Sequence, residues 1–153
     1  MNANDRIRDL YQDVILDHSR RPRNRRAMDG PSHAARSENP SCGDEVSVCL
    51  QIDDRGVIGD IAFRGQSCAI ATASASLMTE VLAGKTPAQA RTLFDRFRAI
   101  AAGGAASAPG GMETETGRLN MLSALRHFPA REKCAALPWQ TMLAALDNPK
   151  ERQ

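Results

Sequence analysis

The sequence predicts an α+β fold in which a small antiparallel sheet of about three strands packs against several helices. Three observations carry this. Residues 44–53 alternate, with Val46, Val48, Leu50 and Ile52 on one phase and Ser47, Cys49, Gln51 and Asp53 on the other, the period of a strand with one buried face. The turn Asp53-Asp54-Arg55-Gly56 follows at once and leads into Val57 to Arg64, a returning strand with Ile61 and Phe63 on its core phase. Outside this hairpin, apolar residues recur mostly at helical spacing.

Taken in order, residues 4–19 place Ile7, Leu10, Tyr11, Val14 and Ile15 on one stripe and Asp5, Asp9, Asp13 and Asp17 off it. This is an amphipathic helix, capped by Asn4 or Asp5. Pro22 and the arginines around it end the helix. Residues 27–38 show little periodicity and leave room for a short edge strand at most. After the hairpin, Gly65-Gln66-Ser67-Cys68 opens a second helix to about Ala83, and Gly84 stops it. Its Ala69, Ala71, Ala73, Ser74, Ala75 and Ser76 permit close packing against the hairpin. Thr86-Pro87 starts the next helix, which carries Leu93, Phe94, Phe97 and Ile100. Residues 103–111, made of Gly, Ala, Ser and Pro, predict a flexible loop and no domain boundary. Leu119, Leu122, Leu125 and Phe128 resume the helical period. Pro129 leads a link to Cys134, and Trp139, Met142, Leu143 and Leu146 define a last helix. The polar tail from Asn148 is expected to fray, and residues 1–153 read as a single domain.

The bulk numbers exclude several classes. A chain of 153 residues is long enough to bury a real core. Its 42% hydrophobic and 25% charged content is ordinary for a soluble protein. A net charge of +2 is too small to argue for nucleic acid, and 4% aromatic content without a basic–aromatic repeat offers no single-strand platform. Arg20, Arg21, Arg23, Arg25 and Arg26 crowd together, either as a solvated basic turn or as a docking patch for an acidic partner. No apolar leader follows Met1, and no apolar run approaches the roughly 18 residues of a membrane span. The expected location is cytoplasmic, away from the membrane, where thiols stay reduced. Four cysteines there read first as metal ligands or catalytic thiols.

The chemistry gathers around Asn39-Pro40-Ser41-Cys42-Gly43-Asp44. In extended chain, residues two apart share a side, so Cys42 and Asp44 can face one ion, and Gly43 allows a sharp turn between them. Cys68 falls in the first turn of a helix, where free amides and the helix dipole favour a thiolate. Cys134 follows Lys133 near another helix start. Three thiolates and one carboxylate suit tetrahedral Zn²⁺ and would equally suit an iron–sulfur cluster. The spacing contains no C-x-x-C pair and is compatible also with three unrelated buried cysteines. Cys49, on the polar phase of its strand, reads as a small side chain on a sheet face. His18, His33 and His127 adjoin no candidate ligand and are left out of the site.

Leu10-Tyr11, Val14-Ile15-Leu16-Asp17-His18 and Pro22-Arg23-Asn24 resemble the opening of the IscU/NifU-type iron–sulfur scaffold family. So do Asn39-Pro40 with Cys42-Gly43-Asp44, and Gly65 through Cys68-Ala69-Ile70 to Ala73-Ser74-Ala75-Ser76-Leu77-Met78. The set covers nearly the whole chain in the right order. IscU-type scaffolds carry a histidine immediately before the third cysteine; here that residue is Lys133. The interval between the second and third cysteines is also longer. Both features, with Arg131-Glu132-Lys133-Cys134-Ala135, resemble the SufU branch. That resemblance implies an IscU/SufU-like fold and Zn²⁺ held by Cys42, Asp44, Cys68 and Cys134. It implies a sulfurtransferase role as carrier for iron–sulfur cluster assembly, beside a SufS-type, pyridoxal-phosphate-dependent cysteine desulfurase. It further implies that Cys42 leaves the metal on docking and accepts persulfide sulfur, so Cys42 is the catalytic candidate. Arg131 and Lys133 are candidates for docking the partner or tuning thiol pKa values. The alternative is an iron–sulfur assembly scaffold of IscU type, a binding platform in place of an enzyme.

Overall fold

The structure, a computed structural model, describes residues 13–39, 43–101 and 132–149. Several expectations lie outside them: residues 4–12, Cys42, the loop at 103–111, the helical period from Leu119 to Phe128, Arg131, and the tail beyond 149. Within the described residues, helix α1 (13–20) is followed by strands β1 (His33–Asn39), β2 (Asp44–Ile52) and β3 (Ile58–Arg64). Helices α2 (Ala69–Leu82), α3 (Pro87–Ala101) and α4 (Glu132–Leu146) complete the order. The fold is the expected α+β arrangement: one antiparallel sheet in the order β1-β2-β3, with helices over one face.

The hairpin forms where the alternation predicts it. Val48 pairs with Phe63 and Leu50 with Ile61, which puts all four on the buried face. The turn is held by Asp53, whose Oδ1 accepts from the Arg55 and Val57 amides at 2.9 and 3.0 Å, an Asx arrangement that fixes the loop locally. On the other edge of β2, β1 pairs in full register from His33↔Leu50 to Asn39↔Asp44. β1 is therefore longer than its sequence advertises. Its core-phase residues are His33, Ala35 and Ser37, too small or polar to show a hydrophobic period, while Arg36 and Glu38 point outward as edge strands require.

Both edges of the sheet receive further backbone bonds. Arg26 N donates to Phe63 O at 3.1 Å and Phe63 N to Asn24 O at 3.0 Å, so residues 24–26 lie along β3. Asn24 turns with φ 63°, a left-handed conformation that asparagine tolerates. At the opposite edge, Asn148 Nδ2 donates to Ala34 O at 2.7 Å and Pro149 bridges to His33. The sequence places both residues in the frayed tail; the exposed edge of β1 holds them.

The core lies between the sheet and two helices. α4 crosses β1 and β2, while α2 packs against α4 and β3. α2 is buried from Ala71 to Thr79 without a break. Its run of Ala and Ser lets neighbouring backbones approach from several sides. α3 begins with a capping box: Gln89 N donates to Thr86 Oγ1 at 3.2 Å, and Thr86 N to Gln89 Oε1 at 2.9 Å. It docks on α4 through Phe97, stacked on Trp139 with ring centres 5.0 Å apart. α4 starts at Glu132 and runs through Pro138, earlier than the sequence suggests. Burial of Cys134, Ala135, Leu137 and Trp139 outweighs the hydrogen bond that proline removes. Among the described residues no helix is long and apolar enough to cross a membrane.

Candidate metal centre

Asp44 is the first residue of β2 and directly faces Asn39 across the β1–β2 register. The connection between the strands is therefore residues 40–43. Gly43 has φ +71°, which L side chains rarely adopt. Asp44 is buried at 5% exposure. Its Oδ1 accepts the Cys68 amide at 3.0 Å, which ties the start of β2 to the start of α2. A second tie lies beside it, where Glu45 N donates to Gln66 O at 2.7 Å. Gly65 makes that close passage possible. Its φ is +129°, and a Cβ there would strike the Glu45 carbonyl.

Cys68 caps α2, and its sulfur accepts the Ala71 amide at 3.4 Å. That N–H is one of the free donors at a helix start, and it points at a ligand atom. Cys134 sits in the first turn of α4 and is fully buried. One ligand atom each from Asp44, Cys68 and Cys134 lie within 4.8 Å of one another. A tetrahedral zinc site with Zn–S near 2.3 Å places its ligand atoms roughly 3.5–3.8 Å apart.

The donor chemistry also fits a cation. Asp44 Oδ2 is buried and, among the described residues, accepts no hydrogen bond. A buried carboxylate oxygen left this way is costly unless a positive charge meets it. The structure thus brings together three of the four residues that the sequence assigns to the metal. The fourth, Cys42, lies outside the described residues, as does Arg131. Lys133 is exposed beside Cys134 and rims a groove with Glu38 and Arg98. A lysine ammonium has donors only, so in that form it is no ligand.

The remaining candidates sort clearly. Arg21 and Arg23 both bind Asp17, at 2.8 and 2.7 Å, Arg26 binds Asp60, and Arg25 donates to Gly65 O at 2.9 Å. The guanidinium of Arg23, and then that of Arg21, holds the Asp17 carboxyl below its ordinary value. Most of the arginine cluster is therefore tied locally, with the guanidinium groups of Arg21, Arg23 and Arg26 still exposed. Cys49 sits between Ala34 and Ala62 on the face of the sheet away from the core, apart from the metal cluster.

His18 has a structural role that its sequence position did not reveal. It is 1% exposed, with Nδ1 2.6 Å from Ser76 Oγ and Nε2 3.3 Å from Glu80 Oε1. The second contact is of ion-pair range rather than an aligned hydrogen bond, since that oxygen accepts none among the described residues. Ser76 Oγ also takes the Arg23 amide at 2.8 Å. The Ser–His–Glu order resembles a catalytic relay, but Ser76 is fully buried and closed to substrate. The group pins the N-terminal segment to α2. Its signal in the sequence is polar Ser76 and Glu80 on a helix otherwise made for burial.

The end of the central strand and two helix starts, which bring together two thiols and a carboxylate, define a small α+β fold with a metal-binding site. Residues 10–135 match the family of the NifU-like N terminal domain, and the chain belongs to that family. It is 35% identical to the iron–sulfur cluster assembly scaffold protein IscU of Streptococcus pyogenes serotype M1, over 97% of this chain and 89% of that protein. It is 32% identical to the zinc-dependent sulfurtransferase SufU of Bacillus subtilis (strain 168), over 93% and 92% respectively. The crystal structure of a nitrogen-fixing NifU-like protein (N-terminal) from Brucella abortus matches with a TM-score of 0.77 at 25% identity, covering 92% of this chain and 94% of that one.

Proposed function

We propose that this chain is a zinc-dependent sulfur carrier that accepts persulfide sulfur from a SufS-type cysteine desulfurase for iron–sulfur cluster assembly. The observation that carries the reading is the cluster of Asp44, Cys68 and Cys134, with Lys133 in the position where the resemblance to IscU-type scaffolds implies a histidine. The full ligand set of the proposal is Cys42, Asp44, Cys68 and Cys134. Bound Zn²⁺ would supply a redox-inert charge that keeps the thiols deprotonated.

The chain's own residues divide the work. Asp44, Cys68 and Cys134 are fixed on a strand and two helices. Cys42, which the sequence sets between Pro40 and Gly43 in the stretch joining β1 to β2, is the proposed acceptor thiol. Its thiolate attacks the outer sulfur of the desulfurase persulfide. A new S–S bond forms to Cys42, the partner's S–S bond breaks, and the desulfurase cysteine leaves as a thiolate. The proton of the persulfide travels with the transferred sulfur. Rates follow the nucleophile and leaving-group rules of thiol–disulfide exchange. Lys133, exposed beside the cluster, and Arg131 are proposed to guide the partner.

A second reading, an iron–sulfur assembly scaffold, has the support of the 35% identity to the streptococcal IscU. The test is desulfurase turnover with free cysteine, followed by peptide mass analysis. The carrier predicts stimulated turnover and one added sulfur atom on the Cys42 peptide, both abolished in Cys42→Ala. Full stimulation by that variant would remove Cys42 as the acceptor.

A further inference from the structure

The two cysteine-bearing helices are joined by a buried polar contact. Ser74 Oγ donates to the Ala135 carbonyl at 2.7 Å, and the Trp139 indole N–H donates to the same Oγ at 3.1 Å. All three residues are fully buried. The hydroxyl therefore has its proton and one lone pair in use, and the chain of bonds runs Trp139 to Ser74 to Ala135. An apolar residue would fill this place without any constraint on angle. A hydroxyl that must meet one carbonyl and one indole fixes where α4 lies along α2.

What it fixes is adjacent to the metal cluster. Ala135 follows Cys134 directly, and Ser74 lies on the same rigid helix that Cys68 caps. The lateral bond from α2 to the Ala135 carbonyl ties this part of α4 directly to the helix of Cys68. We propose that Ser74 is a positioning residue for the metal centre, acting through Trp139 and Ala135 to set the distance between the Cys68 and Cys134 sulfurs. The proposal rests on the metal reading of the cluster, and it assigns a role to residues that touch no ligand atom.

The experiment replaces Zn²⁺ by Co²⁺ in wild type, Ser74→Ala and Ser76→Ala, and reads both affinity by chelator competition and the cobalt absorption bands. Ser76→Ala is the control. It removes a buried hydroxyl from the same helix, but one that binds Arg23 and His18 and makes no bond to α4. Loss of a group bonded directly to a metal ligand typically costs about 10–100-fold in affinity, and Ser74 acts one residue further out. Ser74→Ala is therefore expected to lose up to about tenfold in affinity, with shifted bands, and Ser76→Ala to keep both. Wild-type affinity and spectrum in Ser74→Ala would overturn the proposal, as would equal effects of the two variants. If Ser74→Ala does not fold, Trp139→Phe decides, since it removes the indole donor and keeps a ring. Shifted bands with weakened cobalt support the proposal, and an unchanged site overturns it. Failure of wild type to bind Co²⁺ or Zn²⁺ at all would instead remove the metal reading itself.

Discussion

Replacement of Asp44 by asparagine should change the stability of the protein in opposite directions with and without metal. The side chain has two oxygens with different duties. Oδ1 accepts the Cys68 amide at 3.0 Å, and an asparagine carbonyl can do the same. Oδ2 is buried and accepts no hydrogen bond among the described residues. A buried polar group left unsatisfied costs about 1–3 kcal/mol, and more when charged. Asparagine leaves a neutral amide in that place, so the metal-free variant should gain about 1 kcal/mol over metal-free wild type. For a domain of this size that is a rise in Tm of about 2–4 °C. With metal the sign reverses. Loss of a direct ligand weakens binding by at least the roughly 10–100-fold of losing an outer partner, which removes at least about 1.4–2.7 kcal/mol of ligand-derived stability at saturating metal. The assay is calorimetric melting of chelator-treated and zinc-loaded protein under reducing conditions. A metal-free Asp44→Asn protein that melts below metal-free wild type would show that the carboxylate is there to hold the Cys68 backbone, and would refute the cation argument.

Gly65→Ala should be among the most damaging single changes outside the ligands. Its positive φ and the approach of Glu45 O combine backbone strain of roughly 1–3 kcal/mol with overpacking of similar size; a urea midpoint within about 0.5 kcal/mol of wild type would contradict this. Asp17→Asn tests the arginine ties at low pH. The folded-state pKa of Asp17 is lowered by Arg23 and Arg21, so its contribution is full above the ordinary carboxylate range and is lost as pH falls through the folded value. The stability gap between wild type and variant should therefore close below about pH 4. A gap constant from neutral pH into acid would mean that the ties to Asp17 contribute nothing.

The hairpin was legible because Val46, Val48 and Leu50 alternate with polar residues over a length that only a half-buried strand explains. The convergence of Asp44, Cys68 and Cys134 was legible through the family resemblance. The glycine turn and helix starts make each residue a good ligand, but the spacing alone does not say that the three meet. β1 was underestimated because an edge strand contacts the core with His33, Ala35 and Ser37 and leaves no apolar period to read. The tail at Asn148 and Pro149 and the start of α4 depend on tertiary neighbours, an open strand edge in one case and burial of Leu137 and Trp139 in the other. Ser74 was visible only as one more small residue on a packed helix. Its partners are Ala135 and Trp139, and nothing local to Ser74 indicates that its hydroxyl meets them.

The most direct test of the central claim is metal content and visible absorption of protein purified without oxygen. Three thiols and a carboxylate that serve a sulfur carrier predict about one tightly held zinc per chain and a colourless solution. Stoichiometric iron with a brown colour would contradict the carrier and assign the same residues to cluster assembly.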